Sequence, residues 1–452
     1  MFNINKSELI NEAGDIIVDK LVDLITKFQT NYQPDLIKLE KLYKRELSDD
    51  IIVNLQKYIV DSICSYVHGE PIQYANVSDE YLNNMVEIDE DSHNIQLAKN
   101  ASIFGMGYEY IYINKDNMID LAELNPTRSF IVEDDEIISN EICGVYITES
   151  YDIDGNIESY TVLAFTDLYK FKYVGKTIES IQLVEMEDNF FGGLPIIKLK
   201  GNAEEKSDFA DLNGLITAYE DLQKDRVHDK NAFINKLLVI TNSSLGDTKE
   251  EFEASKKIIR EGGVLELESD GDGCNASAQF MSQIMQEADI QILAKSLLDD
   301  VFRQARVPNL SDDSFGNASS GISLKFKLYG TEMLAQEKER MFKKLIRERL
   351  RLINNIYNIR GNGMDLSNVD ITMTRSMPIG LDERLAELQG TADILSLETR
   401  ISRFDSEIDV QEELKKIRQE KAQNMSLMNE AFGNYQYDNN NGGINEDDVE
   451  DE

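Results

Sequence analysis

DLNGLITAYEDLQKDRVHDKNAFINKL, Asp211 to Leu237, is the stretch on which the fold turns. Leu212, Leu215, Tyr219 and Leu222 recur at three- and four-residue steps, and a less regular continuation runs through Val227, Phe233 and Leu237, which predicts one helix. At about 25 residues it would be roughly 38 Å long. A rod of that length needs lateral neighbours to bury its stripe. Leu238 to Thr241 then reads as a strand. Thr248 and Glu251 form a capping-box pattern ahead of a short helix over Lys249 to Arg260, which carries Phe252, Ile258 and Ile259 and stops before Gly262-Gly263. Val264, Leu265 and Leu267 suggest a returning strand. A second rod, Met281 to Arg306, follows with Ile290, Leu293, Leu297, Val301 and Ala305 on one stripe. A compact strand-helix-strand insert is thus bracketed by two rods.

Outward from this centre, Pro308 stops the second rod. The polar run NLSDDSFGNASSG, Asn309 to Gly321, has the composition of a mobile loop. A third long helix is expected from about Ile322 to Ile356, with Arg360 and Gly361-Asn362-Gly363 closing the run. Its span from Leu324 to Ile353 holds nine Lys or Arg against four Glu. Val369, Ile371 and Met373 alternate as a short strand, and two terminal helices are expected at about Leu381 to Ser396 and Glu407 to Gln423. The closing EDDVEDE reads as a disordered acidic tail. Upstream, helices are expected over Ser7 to Phe28, Ile51 to Val67 and Glu80 to Phe104. The stretch after Gly105 reads as sheet: Tyr108 to Ile113, Ile119 to Leu124, Phe130 to Val132, a hairpin of Glu141 to Ser150 with Ser159 to Phe165 about Asp154-Gly155-Asn156, and another over Tyr169 to Val184. Leu194 to Gly201 is an apolar strand or linker. The fold class is α+β.

The chain has 452 residues and a formal net charge of -38, from 84 Asp and Glu against 46 Lys and Arg. That balance argues against a surface on which nucleic acid wraps freely, and 41% hydrophobic residues argue against a disordered acidic polymer. Cys64, Cys143 and Cys274 are scattered and the three histidines have no metal-ligand spacing, so a reduced, cytosolic site of synthesis is expected. The opening MFNINKSELINEAGD does not read as a signal peptide, and no apolar run approaches the roughly 18 residues of a membrane span, so no membrane partner is expected.

Little here suggests catalysis. Asp152-x-Asp154-Gly155 and Asp270-Gly271-Asp272-Gly273 lack the full calcium-loop pattern and read as turns. The pairs Asp299/Asp300 and Asp312/Asp313 come without any phosphate-binding glycine loop, and His228 lies on a rod without a catalytic partner. No cofactor or metal is expected. Lys338, Arg340, Lys343, Lys344, Arg347, Arg349 and Arg351 are candidates for DNA contact or for ion pairs between subunits.

Three segments carry a resemblance beyond these local readings: KYIVDSICSYVHGEPIQY at Lys57 to Tyr74, SDFADLNGLITAYEDLQKDRVHDKNAF at Ser207 to Phe233, and SSGISLKFKLYGTEMLAQEKERMFKKLIRERL at Ser319 to Leu350. With the order of elements between them, the chain resembles the portal proteins of long-tailed phages infecting Gram-positive bacteria over about residues 10 to 425. The resemblance implies a homo-oligomeric ring, usually of twelve subunits, at one capsid vertex, with double-stranded DNA in its channel. It implies an α/β wing over 1–206, stem helices over 207–237 and 281–307, and a small α/β clip over 238–280. It also implies a tunnel loop over 308–321, a long wing helix with returning strand over 322–378, a helical crown over 379–430 and the acidic tail over 431–452. The clip would meet the terminase large subunit and then a head-completion protein; wing and crown would face the major capsid and scaffolding proteins. The tunnel-loop residues would be Asn309, Ser311, Asp312, Asp313, Phe315, Asn317, Ser319 and Ser320. The virion portal vertex, reached after assembly in the host cytoplasm, is the implied location. A helical scaffold or adaptor without a channel, and more remotely a metal-assisted phosphate hydrolase, remain alternative readings.

Overall fold

In the computed structural model, the residues described are 2–45, 53–234, 237–241, 248–260, 277–281, 287–309, 326–361, 366, 368–376, 389–391, 394–404 and 410–437. The amino-terminal part is a helical layer on two sheets. A short α1 (Lys6–Leu9) precedes α2 (Val18–Asn31). The single helix expected over Ser7 to Phe28 is interrupted because Gly14 takes φ +89° and Ile10 bridges Ile16 across the turn. Helix α3 (Gln33–Lys44) starts on a proline in its first turn, where the missing N–H costs nothing. Helix α4 (Leu55–His68) begins four residues later than expected, with the Asn54 side chain capping Lys57 N–H. The helix expected over Glu80 to Phe104 is two, α5 (Asp79–Glu87) and α6 (Glu90–Phe104), broken where Asp89 adopts a left-handed conformation and caps Ser92.

The larger sheet has six strands in the order β1-β5-β6-β7-β8-β9 and the smaller has three, β10-β3-β4. Their ranges are β1 (Phe2–Asn3), β3 (Met106–Ile113), β4 (Ile119–Leu124), β5 (Ser129–Glu133), β6 (Glu141–Tyr151), β7 (Ile157–Phe165), β8 (Tyr169–Gly175), β9 (Gln182–Asp188) and β10 (Ile196–Lys200). Strands β5 to β9 form an antiparallel meander, and Asp152 closes the β6–β7 hairpin by accepting the Asn156 N–H at 2.8 Å. Asp152-x-Asp154-Gly155 is therefore a turn whose first carboxylate is spent within it; Asp270 to Gly273 lie outside the described residues. Phe2 and Phe28 both pack against Phe130 with tilted rings, centroids 5.1 and 4.9 Å away, between the sheet and α2. At the junction of α6 with β3, Gly105 has φ +83°, and a Cβ there would lie 2.3 Å from the Glu205 carbonyl. Only glycine fits between these two backbones.

After β10 the chain enters α7 (Asn213–Ile234), then β11 (Leu237–Thr241), α8 (Lys249–Arg260), β12 (Ser277–Met281) and α9 (Glu287–Ala305). Met281, expected to open the second rod, instead closes β12, which pairs antiparallel with β11 from Leu237↔Met281 to Thr241↔Ser277. Val264, Leu265 and Leu267 lie outside the described residues. Helix α10 (Tyr329–Arg360) continues one turn beyond Ile356 to a left-handed Gly361 cap. It buries Phe342, Leu345, Ile346, Leu352, Ile353 and Ile356 in the core it shares with the amino-terminal part. Strand β13 (Asp370–Thr372) returns to pair with β2 (Gln73–Ala75), tying the chain after α10 back to the amino-terminal part. The terminal helices are α11 (Leu397–Phe404) and α12 (Val410–Tyr437). Residues 391, 394 and 395, expected to be helical, are turn and bend instead. Residues 431–437, expected to belong to a disordered tail, continue α12.

Candidate ring and channel elements

The two rods pack on each other as α7 and α9, and their inner ends are fastened to the ends of α3 and α4. The Arg45 guanidinium pairs with the Glu220 carboxylate on α7, and Tyr58 meets Phe302 of α9 edge to face at 5.5 Å. The Tyr58 hydroxyl donates to the Pro308 carbonyl at 3.0 Å, and Thr331 Oγ1 donates to the Arg306 carbonyl at 2.7 Å. Residues 306 and 331 are thereby pinned together at the neck of the intervening segment. Of the tunnel-loop candidates, Asn309 lies at this neck; Ser311, Asp312, Asp313, Phe315, Asn317, Ser319 and Ser320 lie outside the described residues.

At the far end of the rods, the Thr248–Glu251 capping box forms reciprocally: each residue's side chain accepts the other's N–H at 3.4 Å. Helix α8 exposes Phe252 and Ile258 to solvent. Ile259 is on the same helix, with its side chain outside the description. Asp299 and Asp300 lie on α9, where Asp300 pairs with Arg303. Among the described residues no group of three or more His, Cys, Asp or Glu is arranged to hold a metal ion, and no helix is long and apolar enough to cross a membrane.

The basic residues of α10 divide by face. Arg349 is fully buried: its Nε donates to Glu109 at 2.9 Å, one Nη reaches Glu90, and the other reaches Asn94 at 2.8 Å as well as Glu109. His93 meets the same Glu109 at 2.8 Å, and the Tyr74 hydroxyl bonds Glu90. Burial would raise the Glu109 carboxyl, but Arg349 and His93 overcome it and hold the group down to about 2. Lys338 is also buried, with Asp208 at 2.7 Å and the Ser102 hydroxyl at 3.1 Å. Arg349 and Lys338 are therefore spent inside the subunit; they lock α10 to α6, to β3 and to the segment that leads into α7. Arg375 adds a third clamp, to Glu332 at 3.2 Å and Glu339 at 2.6 Å, with the Tyr66 hydroxyl on Glu332. Lys343 pairs with Glu339 on its own helix, and Arg351 with Glu348 and the Gly192 carbonyl. Arg340, Lys344 and Arg347 remain on the solvent face.

A family model described as phage portal protein, SPP1 Gp6-like, matches residues 19–427. The chain belongs to this portal protein family. The match spans the wing, both rods, the insert, α10 and most of α12, which is why no single motif was needed to see it. Portal proteins of this family are structural components of the bacteriophage capsid vertex, where they serve genome packaging and the head-tail connection. As a family they are oligomeric rings that work with capsid and terminase proteins, and they are not enzymes. No curated protein matches the chain.

The burial of Arg349 is the reading the sequence missed, although its position on the helix carried a signal for it. Phe342, Leu345, Leu352 and Ile356 recur on one stripe of α10, and Arg349 falls between Leu345 and Leu352 on that stripe. Its partners Glu90 and Glu109 are some 240 to 259 residues away in sequence, and no local pattern names them.

One further buried group shapes the acid response. His68 packs against Phe342 with tilted rings whose centroids are 4.4 Å apart, facing Lys338, Arg375 and Glu339. Burial, then the two cations, push its pKa down to about 3. The stability gained by keeping His68 neutral is complete above its ordinary value of 6.5 and is lost as pH falls through that value toward about 3. A His68→Phe variant is expected to lose less stability between neutral pH and pH ~4 than the parent, by roughly 3 kcal/mol on this linkage. Urea titrations at the two pH values measure it, and equal losses in both proteins would contradict the assignment.

Proposed function

We propose that this chain is the repeating subunit of a dodecameric ring whose central channel conducts double-stranded DNA into the capsid during packaging and out during ejection. The observation that carries the reading is the family match over residues 19–427, on a chain whose paired rods bracket a strand-helix-strand insert. In this reading residues 1–206 with 322–378 make the wing, 207–237 and 281–307 the stem, and 238–280 the clip. Residues 308–321 make the tunnel loop and 379–430 the crown. The clip, through the exposed face of α8, docks the terminase large subunit during packaging and a head-completion protein afterwards. Wing and crown meet the major capsid and scaffolding proteins, and the ring assembles in the host cytoplasm before entering the virion.

The net charge of -38 suits a conduit: an acidic lumen repels phosphate, so DNA slides without adhering. Asn309, Ser311, Asp312, Asp313, Asn317, Ser319 and Ser320 supply no cation to grip DNA, and Phe315 is a lone aromatic, so the loop acts as a gate or spacer. The energy of translocation comes from a separate ATPase. The test is packaging in a reconstituted system of capsid shells, terminase, ATP and linear DNA, scored by protection from nuclease. The parent chain is expected to protect DNA, and a chain in which a short Gly-Ser bridge replaces Asn309 to Gly321 is expected to form rings yet protect at least about tenfold less, as a gate predicts. Rings of the shortened chain that package normally would remove the gating role.

A further inference from the structure

We propose that the outer stripe of α10 is a contact surface for a second copy of this chain, packed head to tail. The inner stripe is occupied by the core and the three ionic clamps. On the outer side, Phe326 in the turn before the helix, Tyr329 and Met333 are 77%, 65% and 51% exposed. Arg340, Lys344 and Arg347 carry the same stripe onward at three- and four-residue steps, also exposed. At about 100° per residue, these three cations lie roughly 140–180° around the helix from the buried Arg349, and Tyr329 to Arg347 spans roughly 27 Å. Lys344 and Arg347 make no ion pair among the described residues, and Arg340 bonds only the Gln336 carbonyl of its own helix.

Aromatic and Met anchors running into arginines have the composition of a protein contact core, whereas DNA phosphates have no use for the apolar half. The charge favours another copy of this chain, with 84 acidic residues against 46 basic ones. A matching surface is present. The corner between α5 and α6 exposes Val86 at 80%, beside exposed Glu87, Asp89 and Asp91. It belongs to the flank of α10 toward which Arg349 points, away from the outer stripe. A ring closed by a head-to-tail contact needs two different, complementary surfaces on each subunit. The stripe and the corner meet that need, and charge pairing between them would set register. This rests on the ring reading above.

The experiment uses the full chain with Cys274→Ser, adding Arg347→Cys or Glu87→Cys, and follows maleimide labelling in assembled rings against unassembled chains. Both cysteines are expected to label about tenfold or more slowly in rings, because a packed contact excludes water and reagent. In parallel, R340E/K344E/R347E is expected to keep its helical circular dichroism and unfolding transition while failing to form rings. Rings that leave either cysteine as reactive as in the unassembled chain would overturn the proposal, as would a triple variant whose rings form normally and lose only DNA or capsid binding. If the parent chain forms no ring at all, the portal reading itself fails; if it forms rings without protection, only this contact does.

Discussion

Arg349→Ala is expected to destabilise the chain by about 3–5 kcal/mol, because it leaves the Glu90 and Glu109 carboxylates buried without a counter-charge. The loss should depend on pH in a diagnostic way. In the parent, Glu109 is held down to about 2 against an ordinary value of 4.5, so its contribution is complete above that ordinary value and is lost as pH falls toward about 2. In the variant burial remains while the guanidinium is gone, so the carboxyl prefers its proton. The variant should therefore recover part of its deficit at mildly acidic pH, where the parent only weakens. Denaturant titrations across this range measure both slopes, and a variant whose deficit grows on acidification would contradict the buried-pair account. Glu109→Gln in the Arg349→Met background should be milder than Arg349→Ala, since it strands only the Glu90 carboxylate instead of two.

Lys338→Met is expected to cost a similar amount, about 3–5 kcal/mol, by stranding Asp208 at the root of α7. The place of the damage distinguishes it from Arg349→Ala. Lys338 joins α10 to the segment leading from β10 into α7, and its Nζ also reaches the Ser102 hydroxyl at 3.1 Å. Proteolysis near residues 201–208 should accelerate in the variant before the wing sheet opens, because the freed segment loses the contact that holds it. Adding Asp208→Asn should restore most of the stability, and the double-mutant cycle isolates the pair. Unchanged cleavage in this segment would mean that Lys338 does not fasten the stem root.

Local chemistry made much of the fold legible. Helix α8 has its expected bounds because Thr248 and Glu251 satisfy each other's N–H groups, and β4 has its expected bounds because Ile119 to Leu124 is a short apolar-rich run between turns. The breaks at Gly14 and Asp89 were less legible, since the apolar periodicity runs past them and only the backbone conformation reveals the interruption. Helix α3 went unread because only Leu36 on it is fully buried, so its stripe is weak. In the candidate site, the excess of cations on α10 was visible, but their division into inner and outer faces was not. Lys338 interrupts an apolar run because it answers Asp208, 130 residues away, and that pairing exists only once α10 lies across the root of α7. Of the seven candidates for DNA or intersubunit contact, long-range packing buries Lys338 and Arg349 in ion pairs, Lys343 and Arg351 pair with glutamates of their own helix, and Arg340, Lys344 and Arg347 stay exposed.

The central claim is that this acidic chain closes into a ring around a channel, and the most direct test is the native mass of the purified oligomer together with its projected shape in electron micrographs. The account predicts a closed ring of about twelve copies with a central perforation, as head-to-tail closure requires. A monomer, a compact dimer or an open filament as the sole species would contradict it.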